Sequence, residues 1–172
     1  MQGLIHIYCG DGKGKTTAAV GLAVRAAGAG KQVIFTQFFK DGSSCEIQCL
    51  KQLDHITTMH CTKPHGLFFR MNDTQKAQAS MDYSQLLQDA LQAAETADLL
   101  ILDEIISACN HKTVNEQIVV DFLRQKPETL EVVLTGRNPS EPLLELAHYV
   151  TEMCKIKHPF DCGIPARKGI EF

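Results

Sequence analysis

The sequence predicts an α/β fold in which one mainly parallel β-sheet is covered by helices on both faces. Short apolar segments alternate with longer segments of helical periodicity, and this alternation is typical of a parallel sheet. The short segments are continuously apolar, as strands buried on both faces require. No linker, repeat or low-complexity stretch divides the chain, so we expect a single domain over residues 1–172.

Six short segments, each bounded by turn-forming residues, have the composition of buried strands. They are Leu4–Tyr8, Val33–Phe38, Ile56–His60, Leu99–Leu102, Glu131–Thr135 and Tyr149–Ile156. Ligands bind at the carboxyl ends of the strands in such sheets. We therefore expect the functional residues immediately after the strands.

Helical segments are predicted between these strands. Gly28 ends the first helix, a capping-box pattern from Ser43 to Glu46 starts the second, and Ser140 is a candidate N-cap for the last. The predicted helices are Thr16–Ala27, a short helix from Ser43 to Leu53, Asp73–Ala97, Val114–Arg124 and Pro142–Ala147. In the third helix, Met81 falls on the apolar face that is expected to pack on the sheet.

The charge balance excludes several classes of protein. The 172 residues include 17 Lys and Arg against 20 Asp and Glu, a net charge of -3, whereas a general nucleic-acid-binding domain usually carries a basic face. No apolar run approaches the roughly 20 residues that span a bilayer, and residues 1–8 lack the basic start of a secretory signal. We therefore expect a cytoplasmic protein with reduced cysteines and no nucleic-acid or membrane partner.

A glycine-rich segment joins the first strand to the first helix and predicts a phosphate-binding loop. Gly14-Lys15-Thr16 matches the end of the pattern GxxxxGK[ST], although Cys9 stands where the pattern has its first glycine. Alternating glycines let successive N–H groups point inward, and the helix N-terminus adds a favourable dipole. Lys15, expected in a solvent-facing loop, can reach the terminal phosphates, and the Thr16 hydroxyl can bind Mg²⁺. The predicted nucleotide-binding residues are Gly10, Asp11, Gly12, Lys13, Gly14, Lys15, Thr16 and Thr17.

Two carboxylates, Asp103 and Glu104, follow the apolar segment Leu99–Leu102. Beside a phosphate loop, an acidic strand end of this kind usually holds Mg²⁺ or its water shell. Alternatively, Glu104 orients a water molecule in a hydrolase, or both carboxylates are simply solvated. The motif therefore predicts a metal site without naming the reaction.

Further polar and aromatic residues follow other strands. Arg137 comes just after Thr135 and can bind phosphate or the charge that develops on a leaving group, or it can form a surface ion pair. The segment 37–40 places aromatic rings and a cation near the same edge. Phe68 and Phe69 lie in a loop, where they are either exposed for a flat ligand or buried in the core.

At this point the motifs together indicate a family. The chain closely resembles the ATP:corrinoid adenosyltransferases, which are built on a P-loop (RecA-like) fold and serve bacterial cobalamin synthesis and salvage. The resemblance runs from Gly3 to Phe172 and is carried by GDGKGKTT, QFFK, LLILDE, LTGR and KHPFDCGIPARKGIEF. Its most specific parts are the double-lysine loop and the end of the tail.

The resemblance implies a reaction, its cofactors and its partners. The 5′-deoxyadenosyl group of ATP passes to the cobalt of a corrinoid, and inorganic triphosphate is released. The cobalt is first reduced to Co(I) by an external electron donor such as a flavoprotein. Lys15 and Arg137 are then the expected catalytic residues, and Thr16 and Glu104 the expected Mg²⁺ ligands, with Asp103 beside them. Members of this family are generally homodimers.

Three positions depart from the family pattern. The aromatic motif that contacts the corrin commonly reads Gly-Phe-x-Trp, whereas here Leu67 stands in the phenylalanine position and Phe69 in the tryptophan position. By the resemblance, Phe68 and Phe69 are the expected corrin contacts. Asp11 stands where asparagine is common, and its charge is expected to weaken ATP binding through like-charge repulsion.

Two other functions fit the same residues. An ordinary P-loop ATPase or nucleotide kinase would produce ADP rather than triphosphate. A nucleotide-gated corrinoid carrier would bind a corrinoid without forming a cobalt–carbon bond. The altered aromatic motif is the feature that favours the carrier.

Overall fold

The computed structural model describes residues 2–61, 65 and 71–171. Within these ranges six strands form one sheet: β1 Ile5–Cys9, β2 Val33–Gln37, β3 Ile56–His60, β4 Leu99–Asp103, β5 Glu131–Thr135 and β6 Tyr149–Glu152. Their order is β3-β2-β4-β5-β1-β6, and each neighbouring pair is parallel. The predicted α/β fold with a parallel sheet is confirmed.

Helices cover both faces of this sheet. They are α1 Lys15–Gly28, α2 Cys45–Leu50, α3 Asp73–Ala93, α4 Ile105–Asn110, α5 Glu116–Gln125 and α6 Glu141–Leu146. Successive strand residues face opposite sides, so Val133 packs with α1 and α2, whereas Val132 and Leu134 pack with α3 to α6. Among the described helices, none is both long and apolar enough to cross a membrane.

Several predicted boundaries differ from the structure. The last strand ends at Glu152 rather than Ile156, and α4 was not predicted. The capping box is wrong, because Ser44 is the N-cap of α2 and makes no side-chain cap. The N–H of Ser43 instead donates to the Asp41 carboxylate at 3.0 Å, which closes a turn before the helix.

Two side chains in the predicted helices also behave differently from expectation. Met81 lies on the solvent side of α3 and is 67% exposed, whereas Leu86 and Ala90 of the same helix are buried. Ser140 occupies the N-cap position of α6 without a side-chain cap. Its hydroxyl donates to Glu116 at 2.8 Å, so it links α6 to α5 instead.

Candidate active site

Four chain segments meet at the carboxyl edge of the sheet, because β2, β4, β5 and β1 are neighbours in that order. Gln37 ends β2, Asp103 ends β4, Thr135 ends β5, and the glycine-rich loop follows β1. Residues that are distant in sequence therefore converge at the edge where parallel sheets bind ligands.

The glycine-rich loop packs against the chain that follows β6. The N–H of Gly12 donates to the carbonyl of Met153 at 2.6 Å, and a Cβ atom at Gly12 would lie 2.5 Å from that oxygen. Gly14, the N-cap of α1, has a φ of 119°, which glycine adopts far more readily than other residues. These two glycines fix the path of the loop and the start of α1.

Lys15 is the buried cation of the loop. The residue is 8% exposed, and its Nζ donates to the carbonyls of Gly10 at 2.8 Å and Gly12 at 2.9 Å. Burial lowers the pKa of Lys15, and Glu104 is the carboxylate that opposes this shift most. The expectation of a solvent-facing Lys15 is therefore wrong, because the loop closes around the ammonium group that satisfies its carbonyls.

Asp103 is the centre of the hydrogen-bond network beside the loop. It is fully buried, and its Oδ1 accepts hydrogen bonds from the hydroxyls of Thr16 at 2.9 Å and Thr135 at 2.7 Å. Gln37 Nε2 donates to Oδ2 at 3.3 Å. The structure thus places Asp103 in direct contact with the first turn of α1.

Glu104 occupies the turn between β4 and α4 with a φ of 63°, which is uncommon for residues other than glycine. Its N–H donates to Thr135 Oγ1 at 2.8 Å, and its Oε2 accepts from Ser107 Oγ at 2.6 Å. Backbone conformations of this kind cluster at functional sites. Ser107, which the sequence did not single out, therefore orients the Glu104 carboxylate.

Glu46 is a second residue that the sequence reasoning missed, since it was interpreted only as part of a cap. Lys40 Nζ lies 3.4 Å from Glu46 Oε1 and 3.5 Å from Asp103 Oδ2. Gln37 Nε2 donates to the same Glu46 oxygen at 3.2 Å. The available signal was its place early in the helix after β2, because such helices begin at the carboxyl edge of the sheet.

The donor set beside the loop suits a magnesium ion. Mg²⁺ prefers oxygen ligands such as carboxylates, and in nucleotide sites it shares substrate phosphates with them. Asp103 and the Thr16 hydroxyl offer such oxygens 2.9 Å apart. The ammonium group of Lys40, 3.5 Å from Asp103, shows that this carboxylate attracts a cation.

Two further cations of the site are paired with carboxylates. Arg137 Nη1 lies 3.6 Å from Asp11 Oδ1, and both side chains are more than half exposed. Lys13 Nζ lies 3.2 Å from Glu171 Oε1. Arg137 therefore makes the ion pair that the sequence allowed, and its partner belongs to the glycine-rich loop itself.

The aromatic residues expected near this edge differ in their surroundings. Phe38 is fully buried in the core, whereas Phe39, with a φ of 57°, packs edge-on against Tyr83 with 5.2 Å between ring centroids. Phe68 and Phe69, the expected corrin contacts, lie outside the described residues. The 37–40 segment therefore contributes mainly Gln37 and Lys40 to the polar site.

Comparison with known proteins gives matches along the whole chain. Residues 1–172 match the family model described as ATP:corrinoid adenosyltransferase BtuR/CobO/CobP. A corrinoid adenosyltransferase of Sinorhizobium sp is 35% identical, with 99% of this chain and 81% of that protein covered. The corrinoid adenosyltransferases of Escherichia coli K12 and Pseudomonas aeruginosa are 33% and 31% identical, covering 99% of this chain and 86% and 84% of theirs.

Solved structures resemble this chain in fold. The chain matches ATPases 2 and 3 of EssC from Geobacillus thermodenitrificans with a TM-score of 0.55 and 14% identity, over 97% of this chain and 35% of that one. ATPases 2 and 3 of Thermomonospora curvata EccC match with a TM-score of 0.50 and 14% identity, over 95% and 34%. The chain thus spans about a third of each solved chain, and at this identity the likeness concerns the fold alone.

Proposed function

The chain belongs to the ATP:corrinoid adenosyltransferase family, and we propose on that premise that it transfers the 5′-deoxyadenosyl group of ATP to the Co(I) centre of a reduced corrinoid. Inorganic triphosphate is the leaving group. The observation that carries this proposal is the buried Lys15 in a glycine-rich loop, beside the Thr16–Asp103 pair. This arrangement offers a cation and oxygen ligands where a triphosphate would lie.

The transfer is a nucleophilic substitution at C5′ of the ribose. Co(I) supplies the electron pair of the new cobalt–carbon bond, and the pair of the broken C5′–O bond leaves with the triphosphate. Negative charge therefore develops on the leaving group, and donors aimed at it lower the barrier. We assign this role to Lys15, to the N–H groups at the start of α1, and to Arg137. No general base is required, because the nucleophile is the cobalt of the substrate.

Magnesium binding is assigned to the first turn of α1 and the end of β4. Thr16 and Asp103 lie in contact, and Glu104 is oriented beside them by Ser107. When bound, Mg²⁺ neutralises charge on the triphosphate. Thr135 and Gln37 hold Asp103 in place through hydrogen bonds to its two oxygens.

The remaining parts of the proposal rest on the family resemblance. The corrinoid would contact Phe68 and Phe69, and an external donor such as a flavoprotein would reduce Co(II) to Co(I) by one electron. The protein would act as a cytoplasmic homodimer. The reaction would serve adenosylcobalamin synthesis or salvage.

Product analysis tests the proposed reaction. The protein is incubated without oxygen with ATP, Mg²⁺ and chemically reduced cobalamin, and both cobalt and phosphate products are measured. We expect adenosylcobalamin and triphosphate in equal amounts. ADP and phosphate without a cobalt–carbon product would identify an ATPase instead, and ATP-dependent corrinoid binding without turnover would identify a carrier.

A further inference from the structure

The turn from Arg167 to Glu171 lies directly against the glycine-rich loop. Lys13 Nζ donates to the carbonyl of Ile170 at 2.9 Å and to Glu171 Oε1 at 3.2 Å. Lys13 stands between the two glycines that fix the loop's path, Gly12 and Gly14. The turn therefore contacts the loop between these two glycines.

The turn is closed by its own hydrogen bonds. Glu171 Oε2 accepts from the Arg167 backbone N–H at 2.8 Å and from its Nε at 3.2 Å, while Oε1 accepts from Nη2 at 3.0 Å. The N–H of Glu171 donates to the carbonyl of Arg167 at 2.9 Å. These hydrogen bonds from Arg167, and then the one from Lys13, lower the pKa of Glu171 to about 2. The carboxylate is therefore ionised at neutral pH and binds two cationic residues at once.

Cavities lie on both sides of this turn. One, of about 520 Å³, is lined by Lys13 and Gly12 of the loop and by Arg167 and Glu171 of the turn. The other, of about 320 Å³, extends from Ile170 and Glu171 to the first turn of α1, Lys40 and Glu46. The turn thus lines both cavities. One lies beside the glycine-rich loop, and the other reaches Lys40, which contacts Asp103.

We propose that the turn 167–171 is a wall of the nucleotide site and that Glu171 is a positioning residue, acting through Lys13 on the loop. This inference rests on the proposed function only in taking ATP as the nucleotide. Holding Lys13 restrains the peptide units on either side of it, so that less conformational freedom is lost when the loop's N–H groups bind phosphate. Lys13 is an anchor for the tail, a role that differs from the phosphate contact expected for Lys15.

Calorimetric titration of the protein with ATP, in the presence of Mg²⁺ and without any corrinoid, measures nucleotide binding alone. It therefore tests the proposed role of the turn separately from the transfer reaction. Glu171→Gln preserves the size of the side chain and removes its charge. We expect ATP affinity to fall about fivefold, at the upper end of what the loss of an exposed ion pair produces. Thermal stability should stay unchanged, because the turn is mostly exposed. Asp121→Asn, which removes the partner of Arg124 in an exposed ion pair on α5, is the matched control and should bind ATP as the wild type does.

A double-mutant cycle distinguishes positioning from a general effect of charge. Lys13→Met should weaken ATP binding, and adding Glu171→Gln to it should weaken binding no further, because the contact is already lost. The proposal would be overturned if the losses of ATP affinity in the two single variants added in the double variant, or if Glu171→Gln bound ATP as the wild type does. Tighter binding by Glu171→Gln would also overturn it, by showing that the carboxylate competes with phosphate for Lys13. Absence of ATP binding by the wild type would overturn it as well. ATP binding with the expected coupling but without adenosyl transfer would contradict the proposed function alone.

Discussion

Replacing Lys15 with methionine separates the chemical role of the phosphate loop from its structural role. Methionine keeps the apolar stem and removes the ammonium group, which donates to the carbonyls of Gly10 and Gly12. Each lost hydrogen bond to a charged donor is worth about 1.5–3 kcal/mol. Relief of the desolvation that lowers the pKa of Lys15 offsets much of this loss, since burying a charge costs several kcal/mol.

The lost hydrogen bonds and the relieved desolvation nearly cancel. The free energy of unfolding of Lys15→Met should therefore lie within about 2 kcal/mol of the wild-type value, which is a shift in Tm of at most about 8 °C for a domain of this size. Activity should respond very differently. Losing a donor aimed at developing charge typically lowers the rate about 100- to 1,000-fold. A folded protein with little activity is therefore the expected outcome.

The assay is formation of adenosylcobalamin from ATP and reduced cobalamin without oxygen, alongside thermal unfolding of the same preparations. Lys31→Met is the control, because Lys31 is an exposed lysine 4.0 Å from Asp98, before β2 and away from the site. The control should keep both activity and stability. A Lys15→Met protein that unfolds normally and retains a tenth or more of wild-type kcat/KM would refute the role assigned to Lys15.

Three further predictions follow from other contacts. Asp11→Asn should tighten ATP binding about two- to fivefold, because it removes a negative charge near the phosphates and frees Arg137 from its ion pair; weaker binding in a titration would contradict this. Glu104→Gln should raise the Mg²⁺ concentration needed for half-maximal activity, and an unchanged metal titration would leave Asp103 as the carboxylate that matters. Burial raises the pKa of the Cys109 thiol to about 12. The unfolded chain therefore releases this proton near pH 9 while the folded chain keeps it, so stability should fall as pH rises between these values. Cys109→Ala should make that fall less steep in denaturant titrations at each pH.

The fold was largely predictable because its signals are local. The bounds of β3 and β5 agree residue for residue with the predicted segments, since β-branched residues predominate in both. The edge that carries the site could also be predicted, because ligands bind at the carboxyl ends of parallel strands. The structure adds the strand order, which brings four of these ends together. The short helix α4 was missed because its six residues follow a strained turn at Glu104, for which the sequence gives no pattern.

Details of the site were less predictable because they depend on distant contacts. Lys15 is enclosed through the packing of its loop, and that loop is held by Met153. The contact between Lys13 and Ile170 joins residues 157 positions apart. In neither contact does the sequence around one residue contain a motif that identifies the other residue. The roles of Lys13 and Glu46 could therefore be assigned only from the three-dimensional arrangement.

The hydrogen bond from Gly12 to Met153 has a consequence for the order in which a newly made chain becomes competent. The glycine-rich loop is synthesised before β6, but its shape depends on the carbonyl of Met153, which follows that strand and is added much later. Contacts of such long sequence separation form late in folding, because a large loop must close first. A chain that stops before Met153 would therefore hold the phosphate-binding sequence without its geometry, and nucleotide would bind only after β6 has docked.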